Sequence, residues 1–308
     1  DSSTSRGLGD VYKRQDTKEQ DAYRQYGITC MESGKYEDAV KAFQNALGES
    51  IGHIGEKELD ICFYKAKAQA LDGKTKDALA TYDAIIKYNK DARAYYLRGD
   101  LYMDMGEEKK GKADFESAVQ HGKKNYEIYI GIYESLSRHE KKDEGQKYLS
   151  AAMEIKGDKP EDELYKGRIS YLLGENKDAI SYLEKAKEHK QMLASYYLGL
   201  AYDANGDSDK AKKCIAEYIK SGVATSYDLY ELGMQEMQDG NYKNALTYFN
   251  SGLELEKVPN KQNLMKSAIA AYEYSGDFDS AKKMMKEYLK AYPDDEEAKH
   301  ENTFLETR

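Results

Sequence analysis

The sequence predicts an all-α protein that is built from a repeated pair of helices. Three observations support this prediction: a pattern that recurs about every 34 residues, apolar residues at helical spacing, and a glycine between the two helices of most pairs. A small residue marks the same position in each repeat. These residues are Ala39, Ala78, Gly111, Gly145, Ala179, Ala211, Ala245 and Ala281.

The first helix of each pair is predicted from stretches such as 92–105 and 195–206, which are apolar at i, i+3, i+4 and i+7. Five of these helices carry an interior glycine, which costs about 1 kcal/mol in an exposed helix. We therefore expect each glycine to let a partner backbone come close. They are Gly27, Gly99, Gly167, Gly199 and Gly233.

The second helix follows a glycine that we expect to adopt a left-handed conformation and to end the first helix. The small residue lies five positions after that glycine, and a bulky apolar residue lies four positions further on. A pair of this kind cannot bury its own apolar face and must stack on its neighbours. The bulky positions are Phe43, Tyr82, Phe115, Leu149, Leu183, Ile215, Phe249 and Met285.

The two ends of the chain differ from the repeats. Residues 1–15 have no periodic apolar face, and residues 10–15 look like a translated transposase-end sequence, so we expect a disordered, non-native segment and a natural N-terminus outside this sequence. Extra residues at 48–58 predict a flexible loop. Residues 294–308 predict a helix that caps the C-terminal repeat, with Ala298, Phe304 and Leu305 as its apolar stripe.

These features resemble the tetratricopeptide repeat (TPR) proteins, a family with a 34-residue repeat. The first and seventh repeats match the family pattern best. In the first repeat the matching residues are Tyr26-Gly27, Gly34, Ala39 and Phe43. The resemblance implies a right-handed superhelical α-solenoid in which one continuous core runs through about eight repeats and a C-terminal capping helix follows. The expected repeats are 20–53, 59–91, 92–125, 126–159, 160–191, 192–225, 226–259 and 262–293.

Composition and motifs predict no catalytic, metal or cofactor site. The net charge of −9 argues against a nucleic-acid partner, and no window is apolar enough to span a membrane. The five histidines stand singly, without metal-ligand spacing, and three cysteines cannot form a disulfide framework. Residues 68–75 fit a permissive phosphate-loop pattern, but a helix rather than a strand precedes them. We therefore expect a non-catalytic protein.

The resemblance places a concave groove along the first helices, and this groove commonly binds protein or peptide segments in the family. The candidate residues are Phe63, Tyr96, Asp100, Met103, Glu134, Arg168, Tyr171, Tyr196, Asp203, Tyr227, Tyr230, Met234 and Met237. The best anchor candidates are Tyr171, Tyr196, Tyr227 and Tyr230. Four acidic residues on this groove favour basic or polar partners. They are Asp100, Asp104, Glu134 and Asp203. Because the chain has 29 tyrosines, the same residues could equally serve as core.

Two other functions remain open at the level of sequence. The chain could form a self-associating structural solenoid of the cell envelope, or it could be the accessory part of an enzyme whose catalytic domain lies upstream. Its location is equally open, since an acidic, cysteine-poor solenoid suits the cytoplasm and also an extracytoplasmic lipoprotein, a setting of similar bacterial TPR chains.

Overall fold

The computed structural model describes residues 3–48, 54–157 and 159–307, with side chains from residue 18 onward. Within this part of the chain the secondary structure consists of seventeen helices, which fit about eight repeats and a terminal helix. The helices are α1 Ser3–Glu32, α2 Tyr36–Gly48, α3 Glu56–Leu71, α4 Thr75–Asn89, α5 Ala92–Asp104, α6 Glu108–His121, α7 Tyr126–Arg138, α8 Lys142–Met153, α9 Pro160–Leu173, α10 Asn176–Glu188, α11 Ala194–Ala204, α12 Ser208–Lys220, α13 Ser226–Gln238, α14 Tyr242–Leu253, α15 Lys261–Tyr274, α16 Phe278–Ala291 and α17 Glu296–Glu306. The predicted helical-repeat fold is confirmed.

The chain divides into two compact units, where the sequence predicts one continuous core. The first unit is residues 1–215 and the second is residues 216–308. Within each unit a helix packs mainly on its partner in the pair and on the next helices along the chain. Such contacts are made only between sequence neighbours, so a repeat chain can divide at any weak junction. The exact repeat boundaries remain a prediction.

The closest atoms at the interior glycines belong to a bulky side chain of the second helix, and a backbone atom of that helix also lies within 3.4 Å of the Cβ position at Gly167 and Gly199. A Cβ atom placed on Gly27 would lie 2.6 Å from Cε1 of Phe43, and one on Gly99 would lie 2.9 Å from two ring carbons of Phe115. Phe43 and Phe115 are fully buried. The glycine therefore provides the space that the bulky residue of its own pair occupies.

The turn glycines have the expected left-handed backbone. Gly34 has φ +70° and Gly106 has φ +75°, and a Cβ on either would meet no other atom within 4 Å. These glycines are therefore required by conformation and not by packing. Glu140, which replaces the glycine in the fourth predicted repeat, adopts φ +60° in the same turn position. The left-handed conformation is sterically unfavourable for a residue with a Cβ atom, so Glu140 destabilises this turn relative to glycine.

The terminal helix α17 is capped by Asp295, whose side chain accepts a hydrogen bond from the Ala298 amide. The hydroxyl of Tyr288 on α16 donates to the same carboxylate. This hydrogen bond, with Lys266, holds the pKa of Asp295 well below its ordinary value. Ala298 and Leu305 are buried, whereas Phe304 is 44% exposed, so only part of the predicted apolar stripe packs on the preceding repeat.

The sequence predicts two segments without regular order, residues 1–15 and 48–58. Part of each lies outside the described residues. Helix α1 begins at Ser3 and therefore includes residues 3–15, and the disorder expected of this segment stays a prediction. The foreign origin proposed for them stays a prediction. Residues 49–53 of the predicted flexible loop 48–58 lie outside the described residues, and α3 begins at Glu56.

We expect the Gly99→Ala substitution to lower the free energy of unfolding by about 1–3 kcal/mol, because the added methyl group overlaps the ring of Phe115. The melting temperature from circular dichroism measures the effect. Gly48→Ala is the matched control, since a Cβ at the end of α2 meets nothing within 4 Å. Equal loss in both variants would contradict the packing role of Gly99.

Candidate protein-binding surface

In the first unit, residues about one repeat apart on successive first helices form direct polar contacts. Arg24 on α1 pairs with Asp60 on α3 at 2.6 Å. Arg138 at the end of α7 pairs with Asp100 on α5, also at 2.6 Å. The separations of 36 and 38 residues are close to the repeat period. Each pair connects one repeat to the next.

The same arrangement recurs between α7 and α9. The guanidinium of Arg168 lies 2.9 Å from Oε1 of Glu134 and 3.6 Å from Oε2 of Glu127. It also lies 5.5 Å from the ring centre of Tyr197 on α11. Only 19% of the Arg168 side chain is exposed, so little of its charge is available to a ligand.

The structure brings His139 to Asp104, a contact that the sequence analysis missed. Nε2 of His139, at the C-terminus of α7, lies 3.1 Å from Oδ1 of Asp104, the last residue of α5. The two residues are 35 positions apart. In the sequence we looked for metal ligands at close spacing along the chain. A search for complementary side chains one repeat apart would have found this pair.

These contacts change the expected charge preference of the surface. Asp100, Asp104 and Glu134, which the sequence suggested as attractants for basic partners, each have a basic or imidazole partner in the protein. Asp203 on α11 is exposed. The preference for basic partners therefore has less support in the first unit than the sequence suggested.

Two of the candidate residues lie in the core, and a third is half-buried. Phe63 is 7% exposed and is covered by the guanidinium of Arg93 at 4.5 Å, and Met103 is 4% exposed. Tyr96 is half-buried against Gly131 of α7, and burial raises the pKa of its hydroxyl. Phe63 and Met103 therefore present little surface to a ligand, whereas Tyr96 retains some.

The two tyrosines of the first unit that were predicted as anchors are half-buried. Tyr171 on α9 packs against a core cluster that includes Leu198, and burial raises the pKa of its hydroxyl. Tyr196 on α11 forms an edge-to-face pair with Tyr197, with ring centres 5.1 Å apart. Both retain some accessible surface, and their role as anchors stays a prediction.

In the second unit, α13 presents four candidate residues at helical spacing. Tyr227 is 56% exposed, whereas Tyr230, Met234 and Met237 are half-buried. Tyr230 packs on Phe249, with ring centres 6.2 Å apart, and Met234 accepts a hydrogen bond from Ser267 through its sulfur at 3.6 Å. Helix α13 therefore carries aromatic and thioether groups that its own packing leaves partly accessible.

A cavity of about 430 Å³ lies among α15, α16 and α17 in the same unit. Its walls include Glu273, Lys266, Glu297 and Glu301. Oε1 of Glu273 is buried without a hydrogen-bond partner among the described residues. Burial, together with the neighbouring Glu301, raises the pKa of the Glu273 carboxyl to about 7. Below about pH 7 the neutral form of this side chain therefore predominates in the folded protein.

We expect the stability of this region to fall as the pH rises from 5 to 8. A carboxyl whose pKa is higher in the folded protein contributes stability below its ordinary pKa and loses it as the pH rises through about 7. The melting temperature of Glu273→Gln relative to the unaltered chain should therefore be higher at pH 8 than at pH 5. Glu287→Gln, an exposed change on α16, is the control. A difference that is the same at both pH values would contradict this assignment.

Comparison with protein-family models identifies repeats in both units. Three models, each described as tetratricopeptide repeat, match the chain. The matched residues are 27–86, 92–120, 193–221 and 262–295. No curated protein matches the sequence. Among the described residues no helix combines the length and apolar character needed to cross a membrane.

Several solved structures are similar to the chain. A tetratricopeptide repeat protein from Parabacteroides merdae has a TM-score of 0.48 at 12% identity, covering 82% of this chain and 99% of its own. The APC/C hetero-tetramer Cut9–Hcn1 has a TM-score of 0.45 at 15% identity, covering 91% of this chain and 54% of the other. PilW, a type IV pilus biogenesis factor, has a TM-score of 0.44 at 16% identity, covering 80% and 99%.

Proposed function

Because the chain belongs to the tetratricopeptide repeat proteins, whose repeats form protein-interaction scaffolds, we propose that it acts without catalysis by holding a peptide segment of a partner against its first helices. The observation that carries the proposal is the face of α13. Tyr227, Tyr230, Met234 and Met237 follow one another at i, i+3, i+7 and i+10, so they lie on one side of the helix.

The chemistry of this face indicates the kind of segment that it holds. Tyrosine provides a large contact area with few rotatable bonds, and methionine adapts its shape to different apolar groups. Tyr227 is the most accessible of the four and is therefore the expected anchor. We expect the bound segment to insert one or more apolar side chains beside Tyr227 and to place its polar groups toward solvent.

Peptide display against the full chain, followed by fluorescence anisotropy with an enriched peptide, tests this proposal. We expect Tyr227→Ala to weaken binding by about tenfold or more, because buried aromatic anchors carry much of the affinity of an interface. The matched control is Tyr88→Ala. Tyr88 lies on α4, a second helix, and is 53% exposed against 56% for Tyr227.

Equal melting temperatures of the two variants show that any difference arises at the surface and not from loss of folding. Binding that is lost equally in both variants contradicts the assignment to α13. Binding that survives in Tyr227→Ala, or a display experiment that enriches no peptide, contradicts it as well.

Self-association is the second candidate function, and the exposed ring of Phe304 on the last helix is the observation that favours it. Phe304→Glu should then convert an oligomer to a monomer in sedimentation equilibrium. Leu305 is fully buried, so a charge there would unfold α17 and is not informative. Thr303→Glu adds the same charge at an exposed neighbour and is the control. A monomer in the unaltered chain at high concentration removes this function.

A further inference from the structure

We propose that Asp100, Asp104 and His139 form a binding site for a divalent transition metal of the zinc class. The two carboxylates come from the last part of α5, and the imidazole comes from the residue that directly follows α7. One ligand atom from each side chain lies within 4.8 Å of the other two. This inference does not depend on the proposed function of α13, because its residues lie in the first unit.

The distances among the side chains suit a metal ion. Two ligand atoms that are each about 2.1 Å from an ion lie about 3.0 Å apart at a right angle and about 3.4 Å apart at the tetrahedral angle. The distance of 3.1 Å from Nε2 of His139 to Oδ1 of Asp104 falls in this range. Asp100 lies one helical turn before Asp104, so its carboxylate reaches the same side of α5.

The ion pair of Asp100 is compatible with this role. Arg138 contacts Oδ1 of Asp100 at 2.6 Å and leaves the second carboxylate oxygen to serve as a ligand. An arginine in this position also orients the carboxylate, as groups behind metal ligands commonly do. With a neutral imidazole, Asp100, Asp104 and Arg138 sum to one negative charge, which favours a cation.

The ends of two helices add to the negative potential. Asp104 is the last residue of α5, and His139 directly follows the last residue of α7. The C-terminus of a helix carries the negative end of the helix dipole and stabilises a nearby cation. The site therefore combines three ligand groups with two helix ends of the favourable sign.

The ligand set selects the metal. Magnesium and calcium prefer oxygen ligands alone, whereas an imidazole nitrogen together with carboxylates suits zinc and its neighbours in the first transition row. Asp104 is 52% exposed and His139 is 25% exposed, so a fourth position is open to water or to a ligand group of another protein. A bound ion would connect α5 to α7 and so join two successive repeats.

Isothermal titration of the full, reduced chain with zinc chloride tests the site, with zinc alone as the probe. We expect one site whose affinity falls by about tenfold or more in His139→Ala and in Asp104→Asn, since each removes one of three ligands. His300→Ala removes an exposed histidine of the second unit and should leave the affinity unchanged. Zinc should also raise the melting temperature of the unaltered chain but not that of His139→Ala.

Background binding of zinc to the cysteines or to the other histidines would be the same in these variants, because the variants keep those residues. An affinity that is the same in the unaltered chain, His139→Ala and Asp104→Asn assigns the zinc to that background and overturns the proposal. Absence of zinc binding by the unaltered chain overturns it as well. Because Asp104→Asn preserves the size of an exposed side chain, its result stands even where His139→Ala disturbs the end of α7.

Discussion

The packing of a bulky residue of the second helix against an interior glycine of the first helix is the contact on which the rest of the structure depends. Phe43 against Gly27 and Phe115 against Gly99 are two instances of it. The glycine lets the two helix axes approach, and the buried ring gains about 1.5–3 kcal/mol from leaving water. That gain more than compensates for the low helical propensity of glycine. The close pair then offers its remaining apolar surface to the next repeat.

Stacking of similar pairs explains why residues one period apart become neighbours. Equivalent positions on α5 and α7, or on α7 and α9, face each other across the contact between repeats. The pairs Asp100–Arg138 and Glu134–Arg168 are therefore consequences of the period as much as of the individual side chains. Partly exposed pairs of this kind add little to stability. They neutralise part of the acidic surface and orient the side chains that the surface presents.

Tyrosine has a second role in this chain besides filling space. Fully buried Tyr218 and Tyr288 direct their hydroxyl groups to Asp228 and Asp295, which lie at the N-terminal ends of α13 and α17. A phenylalanine in the same place would pack as well but would remove one of the hydrogen-bond donors to each carboxylate. The tyrosines therefore join the end of one helix to the start of the helix that follows it. This role reduces the number of tyrosines that are available for binding.

The sequence by itself determined the helical pairs, the left-handed turn glycines and the bulky and small positions, because these depend on local conformation and on a period that recurs along the chain. The tertiary structure alone decided which candidate residues remain accessible: Met103 is buried, whereas Tyr227 is exposed, although both lie on first helices. It also brought His139 to Asp104. Accessibility and pairing depend on the exact rotation of each helix against its neighbours. The periodicity of the sequence determines that rotation only approximately, so it does not decide which of two neighbouring side chains makes a given contact.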